Sequence, residues 1–253
     1  MRFQWIEATG KDAADFFQRL STADVKGLAP GEGTWALFLS AVGRIVSVFW
    51  VWRLPDGKGL GFEVPVSPVH QWPERFLKYI DDLHFGEDLG IQKGPTGSEP
   101  FPAPPELAAL TKPKLMIAQP VMTAFHASLQ WGQPTCVVYG AEGPLVDAAL
   151  LTRSRIEALI PGVDQEIVPD ANPLDIGFFE AIHPNKGCYP GQEVIERTLA
   201  KGSPAKRLVL ARGKAPASGW VGLTVLPKAD AVIGKRLSFG GAEATIEKIK
   251  SPS

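Results

Sequence analysis

The sequence predicts an α+β body over residues 1–200, followed by a small antiparallel β-barrel over residues 201–253. Helical and strand-like segments alternate irregularly in the first part. After residue 200, short strand-like segments follow one another at close spacing, separated by Gly, Pro and Ser, and this texture is typical of a small barrel or sandwich. A proline-rich stretch over 95–113 is expected to be a loop or linker, since proline lacks the amide that a helix interior or a sheet needs.

The N-terminal part begins with an amphipathic helix. Residues 12–20 place their apolar side chains on one helical face, and strand-like runs follow at 34–40, 44–54 and 60–66. A second helix is expected to begin near Pro73, because proline suits the first helical turn. These elements supply the helical and the strand components of an α+β fold.

Later segments carry equally distinct signals. Residues 135–140 form a buried-strand pattern, and the stretch "GPLVDAALL" after it is helical in character. Asn172 before Pro173 is a good helix start, with Asp175 at the third helical position, where a carboxylate can close a capping arrangement. Pro184 is expected to end that helix.

The composition restricts the class of protein. The chain has 253 residues, 45% apolar residues and a net charge of −1, which gives no general reason to expect membrane or nucleic-acid binding. Acids at Glu7, Asp12 and Asp15 stand where a signal peptide would need an apolar core. The most apolar run is interrupted by Arg44 and predicts two strands rather than a membrane span. Two cysteines make no disulfide framework, so a cytoplasmic protein with reduced thiols is expected.

One short stretch, "HPNKGCYPGQEVIERT", carries the clearest chemical signal. Lys186 lies two residues before Cys188, and the turn after it leads into a helix-like run. A nearby ammonium group and a helix N-terminus both favour the thiolate, which is the nucleophilic and metal-binding form. The alternative is a structural loop whose cysteine is only a small apolar residue. Cys136, in a buried-strand pattern, is expected to be an inert core residue.

A self-contained metal site is not expected. Structural zinc or iron–sulfur sites usually need about four ligands, often in closely spaced pairs. Here the two cysteines are far apart in the sequence, and His183 near Cys188 is the closest candidate partner. A cluster shared with a partner protein remains open. A Cys–His hydrolase is poorly supported, because nothing pairs a particular histidine with Cys188.

The segment "KGCYPGQE" at 186–193 resembles the signature K-G-C-Y-x-G-Q-E of the YgfZ family, folate-binding proteins related to the T-protein aminomethyltransferase of the glycine cleavage system. The stretch "RIEALIPG" at 155–162, the acid that follows Pro173 and the opening "TGKDAADFFQRLSTADV" are also similar. The resemblance implies a T-protein-like body of interleaved α/β subdomains around a central folate pocket. It also implies a small C-terminal antiparallel β-barrel, and the proline-rich stretch would connect the subdomains.

The same resemblance implies tetrahydrofolate, or a folate derivative, as the cofactor. A pterin presents adjacent N–H donors, which one carboxylate can accept together, and Asp175 stands where the transferases usually have glutamate. The shorter aspartate would need a bridging water, or would simply cap its own helix. Gln192, Arg197 and Tyr189 are the other candidate folate contacts. Cys188 and Lys186 would form the reactive-thiol loop, with Cys188 solvent-accessible at the edge of the main pocket.

A long basic stretch also fits an anionic ligand. No acid occurs from residue 197 to residue 228. A local positive field of this kind attracts the glutamyl carboxylates of folate or another anion such as RNA, although a solvated strand face is the plainer interpretation. The basic residues of the stretch are Arg197, Lys201, Lys206, Arg207, Arg212, Lys214 and Lys228.

The family points to an accessory protein that uses bound tetrahydrofolate to support the assembly or repair of iron–sulfur proteins, with client or assembly proteins as partners. Membrane binding is not expected, and nucleic acid is a less favoured partner. The alternatives are a folate-dependent aminomethyltransferase and a non-catalytic scaffold. The transferase is disfavoured, because residues 33–55 contain no acid and Ser47 stands near the place where its acid is expected.

Overall fold

The computed structural model describes residues 1–110, 112–118, 121–126, 132–144, 147–202, 204–213, 220–239 and 242–252. These residues form three antiparallel sheets accompanied by short helices. Within this described part, no helix is long and apolar enough to cross a membrane.

The first sheet is built by the N-terminal part of the chain and has the strand order β2-β3-β4-β1-β5. The predicted helices and strands of this region are confirmed within one or two residues at most ends. The elements are β1 (Arg2–Thr9), α1 (Ala13–Leu20), β2 (Gly33–Leu39), β3 (Ile45–Arg53), β4 (Leu60–Val66), α2 (Trp72–Leu83) and β5 (Gly90–Thr96).

Aromatic side chains hold the two helices against this sheet. Phe17 of α1 lies 4.4 Å from Phe62 between ring centroids, and Phe76 of α2 lies 4.9 Å from Phe49. All four rings are completely buried or nearly so. Burying one such side chain stabilises the fold by roughly 1.5–3 kcal/mol, so this cluster fixes the helices in place.

The second sheet has the order β6-β9-β8-β7. Its elements, with the helix that lies between them, are β6 (Phe101–Pro102), α3 (Pro105–Ala108), β7 (Lys114–Ala118), β8 (Val121–His126) and β9 (Thr135–Tyr139). The proline-rich stretch is therefore not a plain linker. It contributes the edge strand β6 and the one-turn helix α3, because proline is tolerated on an edge strand and in the first helical turn.

The chain then forms α4 (Ala148–Glu157) and α5 (Gln192–Ala200), with a long irregular segment between them. The helix predicted to run from Asn172 to Pro184 is wrong. The Asn172 side chain does accept a hydrogen bond from the amide of Leu174 (2.9 Å), as a cap would. The chain then turns away at Gly177, whose φ is +69°, and only a short 3-10 helix follows at Phe179–Ala181.

The third sheet is the C-terminal module, with the order β11-β10-β13-β12. The strand-like segments expected after residue 200 form four strands: β10 (Lys206–Gly213), β11 (Trp220–Pro227), β12 (Arg236–Phe239) and β13 (Ala242–Ile249). The sheet curls into a half-barrel, so the small barrel expected from the sequence is confirmed in its antiparallel form.

A buried carboxylate joins the first two sheets. Glu63 of β4 is fully buried and accepts hydrogen bonds from Trp52 Nε1 and from the Tyr139 hydroxyl, both at 2.7 Å. His126 Nε2 of β8 lies 3.0 Å from the same carboxylate. Burial, and secondly the neighbouring Glu63, raises the pKa of Tyr139 well above its usual value. The residues of this connection carried no signal in the sequence.

Candidate functional site

The loop that carries Cys188 is held by a close backbone approach at the start of α5. Gly191 has a φ of +81°, and a Cβ atom there would lie 2.5 Å from the carbonyl oxygen of Ser40. Its neighbour in space is Gly43, where a Cβ would lie 3.1 Å from Val194. Only glycine fits both the left-handed backbone and the short distance, so the second glycine of "GCYPG" docks α5 onto the β2–β3 turn.

Lys186 anchors the other end of the loop. Its side chain is only 7% exposed, and its ammonium group donates hydrogen bonds to the backbone carbonyls of Gln18 and Ser21. The Nζ atom lies 5.1 Å from the ring centroid of Tyr189. Burial lowers the pKa of Lys186 to about 8, although the negative charges of Asp24 and Cys188 act in the opposite direction.

Cys188 lies between these two anchors and is exposed to solvent. The thiol is therefore accessible, as expected, but it is not at the edge of the main pocket, because Cys188 lines neither of the cavities beside Trp35. Tyr189, the next residue, is turned inward, and burial raises its pKa to about 12. Cys136 is buried in β9, and burial raises its pKa to about 11, in keeping with an inert core thiol.

Two cavities border the side chain of Trp35 on β2. The first has a volume of about 140 Å³, and its wall combines apolar side chains with the polar side chains of Glu99, Thr152, Arg155 and Gln165. The second has a volume of about 410 Å³ and lies beside the segment that leads into the Cys188 loop. Its lining includes Ala23, Asp24, Gly27, Leu28, Thr34, Phe179, Glu180, Ile182, His183 and Pro184.

Arg155 is held rigidly in the wall of the first cavity. Its guanidinium donates to the carbonyl of Ile160 (2.6 Å) and to the side chain of Gln165 (2.5 Å), and it approaches Glu166 at 3.4 Å. Burial lowers the pKa of Arg155, while Glu166 acts in the opposite direction. A Cβ on Gly162 would lie 2.7 Å from the guanidinium carbon, so this glycine makes room for the buried charge.

Three curated relatives are similar to the chain over most or part of its length, while the sequence matches no family model. A presumed chloroplastic transferase of Arabidopsis thaliana is 26% identical over 95% of this chain and 61% of its own length. A probable aminomethyltransferase of Natronomonas pharaonis is 48% identical over 30% of this chain and 21% of its own length. The chain thus spans less than two thirds of these two relatives.

The third relative is matched over a larger share of its own length. The tRNA-modifying protein YgfZ of Edwardsiella ictaluri is 25% identical over 83% of this chain and 69% of that protein. Among solved structures, the glycine cleavage system aminomethyltransferase T of Bartonella henselae superimposes with a TM-score of 0.77 at 14% identity, covering 97% of this chain and 83% of that one. The chain is a YgfZ relative with the aminomethyltransferase fold.

The other predicted folate contacts of this YgfZ relative lie apart from the two cavities. Asp175 accepts a hydrogen bond from the backbone amide of Lys206 (3.1 Å), so it caps no helix of its own. Gln192 donates to Glu196 (2.5 Å) one turn further along α5, and Arg197 is exposed on the same helix. Among the described residues, neither these three nor the Cys188 loop lines either cavity, and their folate roles stay predictions.

Near the place expected for the transferase acid, this YgfZ relative has a fully buried hydroxyl. Ser47 of β3 donates to the backbone carbonyl of Trp72 at 3.4 Å. The indole of Trp72 in turn donates to Asp164 (3.0 Å). The hydroxyl is thus used to join β3 to the start of α2, and no carboxylate side chain is available at this strand position.

The basic stretch predicted from the sequence is partly neutralised in the fold. Arg212 on β10 forms hydrogen-bonded ion pairs with Glu247 of β13, at 2.8 and 2.9 Å, and with Glu157 of α4, at 3.0 Å. Both acids are distant in the sequence, which is why the charge run alone did not reveal them. Lys214 lies outside the described residues.

Within the ranges that the structure describes, no three His, Cys, Asp or Glu residues are grouped so that they could hold a metal ion.

Proposed function

We propose that the pterin ring of tetrahydrofolate binds in the cavity between Trp35 and Arg155, and that the protein acts as a cytoplasmic accessory protein that supports the assembly or repair of iron–sulfur proteins. The observation that carries the proposal is the mixed wall of the first cavity. Apolar side chains there lie beside a few polar groups, which is the usual design of a cofactor site.

The chemistry of this wall suits a pterin. A flat ring can pack against Trp35 and Leu151, while the N–H donors at the ring edge need an acceptor such as the carboxylate of Glu99. Arg155 and Gln165 offer donors for ring or carbonyl oxygen atoms. When bound, tetrahydrofolate supplies a carrier for one-carbon units. The names of the aminomethyltransferase and YgfZ relatives support this choice of ligand.

A titration with tetrahydrofolate by isothermal calorimetry tests the binding step. We expect saturable binding, weakened roughly tenfold in Glu99→Gln, because a hydrogen bond to a charged group contributes about 1.5 kcal/mol or more. Glu106→Gln is the matched control, since Glu106 is an exposed acid on α3 outside the cavity wall. Weakening by Asp175→Ala instead of Glu99→Gln would favour the contact predicted from the sequence. Absence of binding to the wild-type protein would refute the folate proposal.

The accessory role rests on the exposed thiol of Cys188. An iron–sulfur enzyme assayed in cells that lack this protein should lose activity, and wild-type protein should restore it. We expect Cys188→Ser to fail in this test at equal protein abundance, whereas Cys136→Ala should succeed, because Cys136 is buried and unreactive. Full restoration by Cys188→Ser would remove the thiol from the proposal while leaving folate binding unaffected.

Aminomethyl transfer is the second candidate, and the buried Ser47 argues against it. The transferase chemistry implied by the fold family relies on an acid in this region, whereas residues 33–55 contain none and nearby Ser47 is bonded to the carbonyl of Trp72. We therefore expect no methylene-tetrahydrofolate when the protein is incubated with tetrahydrofolate and an aminomethylated carrier. Turnover above the rate of the uncatalysed reaction would restore the transferase as the leading function.

A further inference from the structure

The ammonium group of Lys186 caps the C-terminal end of α1, a helix that lies far from it in the sequence. The last carbonyls of an α-helix have no partner inside the helix. At this end of α1, the carbonyls of Gln18 and of Ser21, the residue that follows the helix, accept hydrogen bonds from Lys186. A cation at this end also interacts favourably with the helix dipole. The lysine thus completes α1 from more than 160 residues further along the chain.

A second anchor fastens the same region to the body. Thr22, directly after α1, accepts a hydrogen bond from the amide of His183 through its carbonyl (3.0 Å), and its hydroxyl donates to the carbonyl of Ala181 (2.5 Å). The Thr22 hydroxyl also accepts from the amide of Leu37 in β2 (2.9 Å). The segment before the loop is therefore fixed independently of Lys186, and the lysine controls only the part that carries the thiol.

We infer that Lys186 is a positioning residue for Cys188, which fastens the loop to the C-terminal end of α1 and so fixes where the thiol meets solvent. The sequence suggested instead that this lysine activates the thiolate. Its ammonium group is engaged by two carbonyls and by the face of Tyr189. Of the three influences on its pKa, that of Cys188 is the smallest, after burial and Asp24.

Two measurements distinguish positioning from activation, and neither requires folate or a client protein. Hydrogen–deuterium exchange of segment 184–191 reports how firmly the loop is held. The rate at which iodoacetamide alkylates Cys188, followed by peptide mass spectrometry between pH 6.5 and 9.5, reports the ionisation of the thiol. Buried Cys136 is the internal control for global opening.

In Lys186→Met we expect exchange in segment 184–191 to be roughly tenfold faster, since two charge-assisted hydrogen bonds are lost. The midpoint of the alkylation profile should stay where it is in the wild type. Lys186→Arg keeps the charge and should recover part of the protection. Lys201→Met removes an exposed lysine just after α5 and should change nothing.

Two outcomes would overturn the inference. One is unchanged exchange in Lys186→Met. The other is an alkylation midpoint displaced upward in Lys186→Met, which would show that the ammonium sets the ionisation of the thiol. If Lys186→Met does not fold, Tyr189→Leu serves in its place, because it removes the aromatic face under the ammonium. Faster exchange of the loop in that variant supports the inference, and unchanged exchange contradicts it.

Discussion

At the scale of single residues, the burial and the partners of charged side chains are the features that the local sequence predicts least well. Glu63 and Lys186 are both buried, and each is satisfied by groups that come from other parts of the chain. Neither partner set follows a spacing that could be recognised beforehand. The "KGCYPGQE" motif identified the cysteine loop, but only the fold shows what its lysine contacts.

Removing the Glu63 carboxylate should destabilise the protein strongly. Glu63→Ala leaves the donors of Trp52 and Tyr139 buried without their acceptor and removes the carboxylate that lies 3.0 Å from His126 Nε2. We expect the free energy of unfolding to fall by about 3–5 kcal/mol, measured by urea denaturation. Glu74→Ala, which removes an exposed acid of α2, is the control and should cost far less. A loss below about 1 kcal/mol for Glu63→Ala would mean that water replaces the carboxylate.

The lowered pKa of Lys186 gives a pH dependence with a defined sign. Burial disfavours the charged form in the folded protein, so between about pH 8 and the ordinary lysine value the unfolded chain binds more protons. The free energy of unfolding should therefore rise with pH in this window, relative to Lys186→Met. Urea denaturation at pH 7.5 and 9.5, with Cys188→Ser in both proteins, measures the difference. If the free energy of unfolding changed equally with pH in the proteins with and without Lys186, the assignment of this pH dependence to Lys186 would be wrong.

At the scale of elements, periodicity and turn chemistry predicted most of the first sheet, its two helices and the C-terminal strands. The helix from Asn172 failed for a tertiary reason. At Gly177 a Cβ would lie 2.8 Å from the side chain of Lys250 and 3.1 Å from that of Leu208, so the chain turns there against the C-terminal module. Local propensity cannot register a contact with a strand that comes later in the chain.

The start of α5 offers a test at this scale. Gly191→Ala forces a side chain into a left-handed backbone and against the carbonyl of Ser40. We expect a loss of about 1–3 kcal/mol in the free energy of unfolding, together with faster exchange in α5. Gly187→Ala is the matched control in the same loop, because no atom lies within 4 Å of a Cβ placed there. Equal effects of the two substitutions would show that the docking of α5 is not tight.

At the scale of the whole molecule, the mixed α/β body with its antiparallel sheets and the half-barrel match the architecture implied by the family resemblance. The position of the cavities did not follow from the sequence, because their walls combine residues from β2, α4 and the irregular segment after it. Asp175 illustrates the difficulty. Its spacing from Pro173 suggested a pterin contact, yet the fold pairs it with the first residue of β10.

Ligand binding should be visible in the stability of the whole chain. A ligand at about one hundred times its Kd adds about 2.7 kcal/mol to the free energy of unfolding. For a chain of this size we expect Tm to rise by several degrees in saturating tetrahydrofolate, measured by scanning calorimetry. The increase should be smaller in Glu99→Gln at the same ligand concentration. An increase that is equal in both proteins would place the ligand elsewhere.

Trp35 lines both cavities, so the two compartments share one wall residue. A molecule that moves this residue in one compartment changes the shape of the other at the same time. Such coupling is reciprocal, since each occupant alters the affinity for the other by the same factor. The shared residue therefore makes the two compartments thermodynamically dependent on one another.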